Sequence, residues 1–149
     1  MPAIRAKYGA RGPIVEATIG VSEPLKKLLR SKGQDIPPDI PIQLLIDTGA
    51  DTTTVAELHM RSLKLESTGA SPVRTITSGA TGAACNAYGV SLNIKSAHFG
   101  DAPLRFPTMQ VLADEFHNEG FDGLLGRDVL STLVFVMDGP RRSFSIEWA

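Results

Sequence analysis

Cysteine is almost absent from this chain of 149 residues, where Cys85 stands alone. A lone cysteine excludes an intramolecular disulfide framework and suits a reducing compartment. Histidine is sparse as well: His59, His98 and His117 are scattered, with no helical or clustered metal-ligand spacing among them and Cys85. They read as surface or satisfied side chains, and neither a metal site nor any other cofactor is expected. No charge of one sign dominates. The formal net charge is −1 and the pI is near 6.3, which leaves no broad electrostatic footprint for nucleic acid or an anionic membrane. Long apolar runs are missing too. None approaches the roughly 20 residues needed to span a bilayer, and the opening MPAIRAKYGARGPI holds no apolar stretch of the signal-peptide kind. The expected place of work is the cytoplasm, with no membrane segment and no nucleic-acid partner.

What is present suffices for one domain. With 42% hydrophobic and 21% charged residues, a chain of this size buries most of its surface around a single core. Residues 1–12, which carry Arg5, Lys7 and Arg11, are expected to form a solvated, flexible arm, and 13–149 the domain. Strand signals dominate: PIVEATI (13–19), PIQLLI (41–46), PVRTIT (72–77), YGVSLNI (88–94), LRFPTMQVL (104–112) and SFSIEW (143–148) are β-branched or aromatic runs bounded by turn residues. Helical pattern is confined to SEPLKKLLRS (22–31), with Ser22 as N-cap and Pro24 in the first turn, and to GRDVLSTL (126–133). The class is therefore mostly β with one or two short helices. The proline-rich KGQDIPPDIP (32–41) reads as an extended connector, TSGATGAACNAYG (77–89) as the tip of a β-hairpin, and VFVMDGPRRSFSIEW (134–148) as a second hairpin turning at Asp138, Gly139 and Pro140. No internal repeat is present.

One stretch carries chemistry. In LLIDTGADTTTV (44–55) an apolar strand runs straight into Asp47 and then turns at Thr48 and Gly49. A carboxylate at the end of a buried strand is partly desolvated, which raises its pKa, and a turn beside it presents N–H groups that hold or orient it. Thr48 can hydrogen-bond across a tight loop, and Gly49 admits a backbone or ligand where a Cβ would clash. The plain structural alternative is an Asx-type turn in which Asp47 only caps its own loop. An Asp-Thr-Gly triplet arises by chance roughly a few times in a hundred chains of this length. Its neighbours decide more than the triplet does.

PIVEATIG, then LLIDTGADTTTV, then the glycine-bearing TITSGATG, then FDGLLGRDVL before a short helix, resembles in content and order the retropepsin-like, retroviral-type aspartic peptidases over about residues 13–133. The resemblance implies a single-domain acid-protease fold, a closed β-barrel with a flap hairpin over the cleft. It implies that Asp47 is the catalytic aspartate, that Thr48 locks two active-site loops together and that Gly49 is a backbone contact for substrate. Ala50 continues that loop, and Asp51 and Arg127 match an acid and an arginine paired behind the site. Leu124 matches a pocket-lining position, while Ser78, Gly79, Ala80 and Gly82 fall in the flap that closes on substrate.

Aspartic peptidases hydrolyse an amide with two carboxylates that share one proton, because like charges about 3 Å apart cannot both ionise. Two-lobed pepsin-like chains supply both aspartates. Here the other Asp-Gly sites, Asp122-Gly123 and Asp138-Gly139, lack the intervening Thr or Ser. The resemblance therefore implies a homodimer with the second Asp47 contributed by a symmetry mate. It departs from the compact viral enzymes in the longer insert 21–40 and in a C-terminus long enough to fold back as a hairpin. The expected activity is aspartic endopeptidase cleavage of an extended peptide or protein substrate. The alternative is a non-catalytic module that keeps the fold for dimerisation or for holding a peptide or protein.

Overall fold

The computed structural model describes residues 1–73, 83–98, 100–116 and 119–149, with the backbone alone at 70–73 and 83–84. The candidate flap residues Ser78, Gly79, Ala80 and Gly82, together with His117, lie outside the described residues.

Alternation drives the first two barrel strands. In β2 (Ile14–Val21) the buried Val15, Ala17 and Ile19 alternate with Glu16 and Thr18, and in β3 (Ile40–Ile46) the buried Ile42, Leu44 and Ile46 alternate with Pro41 and Gln43. Successive side chains of a strand point to opposite faces, so one face of each meets the core. The two strands pair antiparallel, with Val15 opposite Leu44 and Ala17 opposite Ile42. The insert between them folds as α1 (Glu23–Ser31), which begins after Ser22 with Pro24 in its first turn and rests against β7 (Leu104–Asp114). Ser22 makes no side-chain cap; its carbonyl accepts the Lys26 N–H at 2.9 Å instead.

Two strands of three residues each, β4 (Thr54–Ala56) and β8 (Gly123–Leu125), are too short for sequence periodicity to reveal. They cross the middle of the sheet, β8 parallel to β3 and antiparallel to β4, and β4 parallel to β7. The long β6 (Ala83–Ile94) pairs with β7 and also with β2, where Ile19 meets Leu92 and Val21 meets Val90. That last ladder closes a barrel of six strands in the order β2-β3-β8-β4-β7-β6. The remaining strand, β5 (Gly69–Val73), lies outside the ring, antiparallel to β6; residues 83–89, expected in a hairpin tip, are strand instead, because five of them pair with β5.

Ile19, Leu44, Leu92, Ile94 and Leu125 fill the barrel. A second helix not expected from the sequence, α2 (Glu57–Ser62), adds Met60 beside Leu63, and α3 (Arg127–Leu130) adds Val129. Each fully buried aliphatic side chain contributes about 1.5–3 kcal/mol, so this cluster is the main source of stability. Tyr88 anchors α2 by donating its hydroxyl to Glu57 at 2.5 Å, and that bond, with burial, pushes the phenol pKa up.

The C-terminal hairpin forms as expected, from β9 (Val134–Asp138) and β10 (Ser143–Glu147). The N-terminal arm differs from expectation. Residues 3–7 are not a free tail but β1 (Ala3–Lys7), the third strand of a sheet ordered β1-β10-β9. The basic residues Arg5 and Lys7 alternate with Ile4 and Ala6 and so share one face of this strand. Arg5 pairs with Glu147 at 2.7 Å, Lys7 donates to the Arg141 carbonyl at 3.0 Å, and Ile4 packs on the core.

Candidate active site

Asp47 follows the last residue of β3, and its N–H donates to the Leu125 carbonyl at 3.0 Å, extending the β3–β8 ladder by one residue. The ladder fixes where the carboxylate leaves the sheet. Its Oδ1 accepts the Gly49 N–H at 2.9 Å and its carbonyl accepts the Ala50 N–H at 3.2 Å. A Cβ on Gly49 would lie 3.2 Å from that same Oδ1, tighter than ordinary contact. Gly49 is not among the positive-φ glycines, so what its missing side chain leaves is space beside the carboxylate, which a Cβ would displace by a few tenths of an ångström. The loop is also more open than a dry carboxylate would need: Asp47 is only partly buried, and Thr48 and Gly49 are exposed in the single protomer.

Behind Asp47 the loop is sewn to the β8–α3 junction. The Arg127 N–H donates to the Ala50 carbonyl at 2.8 Å, and the Asp128 N–H to the Asp51 carbonyl at 3.2 Å. The Arg127 guanidinium donates to the Thr48 carbonyl at 2.6 Å. The expected side-chain pair of Asp51 with Arg127 does not form among the described residues. Both side chains are exposed, and Arg127 reaches the backbone of Thr48 instead.

The side-chain lock lies one step further along each segment. Thr53, fully buried, donates its hydroxyl to Asp128 Oδ1 at 2.7 Å and its N–H to Oδ2 at 3.0 Å. The same hydroxyl accepts the Gly126 N–H at 3.1 Å, and Asp128 Oδ1 also accepts the Val129 N–H at 2.9 Å. Every polar atom of Thr53 is thereby satisfied, as its carbonyl accepts the Leu112 N–H at 3.0 Å. Gly126 allows this approach, because a Cβ there would fall 2.7 Å from the Thr52 carbonyl carbon. Thr53 and Asp128 were missed in the sequence because the pair spans 75 positions. The available signal was the Asp of GLLGRD together with the run of threonines after Asp47.

A second clasp holds the β3–β8 crossing. Asp122 Oδ2 accepts the Gln43 N–H at 2.7 Å, Oδ1 meets His59 Nε2 at 2.9 Å, and the Asp122 carbonyl accepts the Ala56 N–H at 2.8 Å. His59 is thus the satisfied histidine expected of it. Leu124 is half-buried beside Leu45, on the strand face opposite Gly123 and Leu125. A cavity of about 700 Å³ opens elsewhere, lined by Ile4, Glu16, Thr18, Gln43, Asn93 and Lys95 among others, and takes in no residue of 47–53. Among the described residues no group of His, Cys, Asp and Glu side chains gathers where a metal ion could sit, and no helix is long and apolar enough to cross a membrane.

This geometry is an acid presented from a β-barrel on a clamped loop, and the comparisons agree with it. Residues 36–129 match the family described as aspartyl protease. The chain belongs to the aspartyl protease family. Its fold is retropepsin-like: the crystal structure of a retropepsin-like aspartic protease from Rickettsia conorii superposes with a TM-score of 0.56, covering 98% of this chain and 90% of that one at 14% identity. No curated protein matches. The matched family segment takes in both Asp47 and Asp128, the two halves of the clamped loop. Family and fold together point to a peptidase.

Proposed function

We propose that this protein is an aspartic endopeptidase whose active site is assembled from two copies of the chain, each contributing Asp47. One observation carries the reading. Within a family of aspartyl proteases, this chain presents an Asp-Thr-Gly carboxylate at the end of a barrel strand, accepting the Gly49 N–H, on a loop left open to solvent. The chain holds one such motif. A second carboxylate has to come from a partner copy if a proton is to be shared between two.

In the proposed dimer the two Asp47 carboxylates face each other across the twofold axis and bind a water between them. One takes a proton from the water as the other, protonated, polarises the scissile carbonyl. The resulting gem-diol collapses when the leaving nitrogen is protonated. No nucleophile on the protein is required. Thr48, Gly49, Ala50, Asp51 and Arg127 support the loop, with Gly49 and Leu124 on the substrate side and Ser78, Gly79, Ala80 and Gly82 on the flap side. Substrate lies extended, bonded along its main chain like an added strand, a geometry that selects unfolded or loop peptide.

Activity requires the singly protonated pair, so it falls as pH rises through the upper of the pair's two apparent pKa values and falls again below the lower one. The test is incubation of wild type and Asp47→Asn with a mixed peptide library from acidic to neutral pH, new termini being read by mass spectrometry. Asp47→Asn keeps the shape and removes the shared proton. Cleavage is expected to drop at least about a thousandfold in the variant and to weaken in wild type on dilution below the dimer dissociation constant. Equal behaviour of the two folded proteins would overturn the peptidase reading in favour of a binding module.

A further inference from the structure

The cavity of about 700 Å³ that avoids the Asp47 loop lies between β1, which supplies Ile4 and Ala6, and the outer face of the barrel. Its volume is that of a ligand cleft, about 300–1,000 Å³. Its floor follows from strand register. Val15, Ala17 and Ile42 turn into the core, so their neighbours Glu16, Thr18, Pro41 and Gln43 turn outward. Cross-strand partners share a face, which sets Gln43 beside Glu16 and runs Pro41, Thr18 and Asn93 in a row across β3, β2 and β6. Carried two residues further, the β2–β6 register sets Lys95 across from Glu16.

This floor is polar and unpaired. Glu16, Thr18, Gln43, Asn93 and Lys95 make no side-chain hydrogen bond or ion pair among the described residues, whereas the neighbouring Asp122 is held by the Gln43 N–H and His59, and Ser96 by Ala3 and Asp101. A carboxamide carries both a donor and an acceptor, the complement of one peptide unit, so it bonds a main chain whatever its side chains are. Gln43 and Asn93 are separated by two strand spacings and two residues, about 12 Å. An extended chain covers that in roughly three to four residues. Glu16 and Lys95 offer a counter-charge to a side chain of either sign, and Ile4 and Ile14 an apolar wall.

We propose that this groove holds an extended stretch of the substrate polypeptide, remote from the bond that is cleaved, with its main chain bonded by Gln43 and Asn93. The proposal rests on the peptidase reading above and adds a second contact to it. Recognition through the main chain suits the unfolded polypeptide that the Asp47 site takes, and one strand carries both places: Gln43 stands four residues before Asp47 along β3. Four residues of strand are about 13 Å. A peptide of six residues cleaved at its centre reaches only about 10 Å to either side and stays out of the groove, whereas a long unfolded chain reaches it.

The experiment uses the full chain and two probes, a six-residue peptide chosen from the library and reduced, carboxymethylated α-lactalbumin, a protein kept unfolded. Gln43→Ala combined with Asn93→Ala removes both carboxamides and leaves the Gln43 N–H on Asp122. KM for the unfolded protein is expected to rise about tenfold, for the loss of two hydrogen bonds, with kcat unchanged and neither constant altered for the peptide. Thr18→Trp, which fills the floor, is expected to do the same. In the Asp47→Asn background the double substitution is expected to weaken binding of the fluorescein-labelled unfolded protein about tenfold, read by fluorescence anisotropy. KM values that move equally for both probes, or for neither, would overturn the groove and leave the peptidase reading standing. Weaker binding with no change of KM would give the groove to a peptide other than substrate and overturn the assignment as well. A wild type that cleaves no peptide and no unfolded protein would overturn the peptidase reading and this inference with it.

Discussion

Six barrel strands close on themselves through the β2–β6 ladder, whereas the terminal sheet stops at β9 with three large apolar side chains more than half exposed. Closure joins the six strands edge to edge through the β2–β6 ladder, and the barrel serves as a rigid frame for the Asp47 loop. The terminal sheet keeps an edge in reserve. Its ion pairs, Arg5 with Glu147 and Arg141 with Asp138, lie at the surface. In the barrel the Thr53 hydroxyl is fully buried and holds the Gly126 N–H away from water, while its partner Asp128 stays exposed on its outer side. Similar chemistry thus carries very different weight in the two regions, because burial removes the water that would otherwise replace a lost partner.

Substitutions in each region put numbers on that contrast. Gly126→Ala drives a methyl into the Thr52 backbone, which cannot move without breaking the clamp around Thr53. It is expected to cost about 3 kcal/mol or more, read as a fall of the urea midpoint. Thr53→Val keeps the shape but leaves the Gly126 N–H without its acceptor and Asp128 with one donor fewer. A loss of about 2 kcal/mol is expected, with Thr53→Ser recovering most of it. If Thr53→Val were as stable as wild type, the Thr53 clamp would not be what holds the loop. At the other extreme Arg5→Ala, in the terminal sheet, should change stability by about 0.5 kcal/mol or less. A larger loss there would mean that the β1–β10 ladder depends on its ion pair and would weaken the contrast.

Legibility in the sequence followed length and locality. β2, β3, β6, β7 and β10 announced themselves because five or more residues alternate or run β-branched between turn residues, and α1 did so through Pro24 and its leucines. β4 and β8 did not, since three residues carry no measurable period, and they are strands only because long neighbours on both sides supply their hydrogen bonds. β1 was obscured by its basic residues, which suggested a solvated arm although they occupy the outer face of a paired strand. Within the site, the order of Asp-Thr-Gly and Gly-Arg-Asp was visible. That Arg127 would hold the Thr48 backbone, and that the buried Thr53 would be clamped by Asp128, was not.

By itself the sequence determined a single mostly β domain with one acid at the end of an apolar strand, because alternation, turn residues and a motif are local properties of neighbouring residues. Tertiary structure alone decided which side chains clamp that acid's loop, that the N-terminus is a strand, and that β9 is left as an open edge. Each of these depends on segments 70 or more positions apart in sequence being brought within hydrogen-bond reach or left beyond it, and a contact between distant segments leaves no periodic trace along the chain.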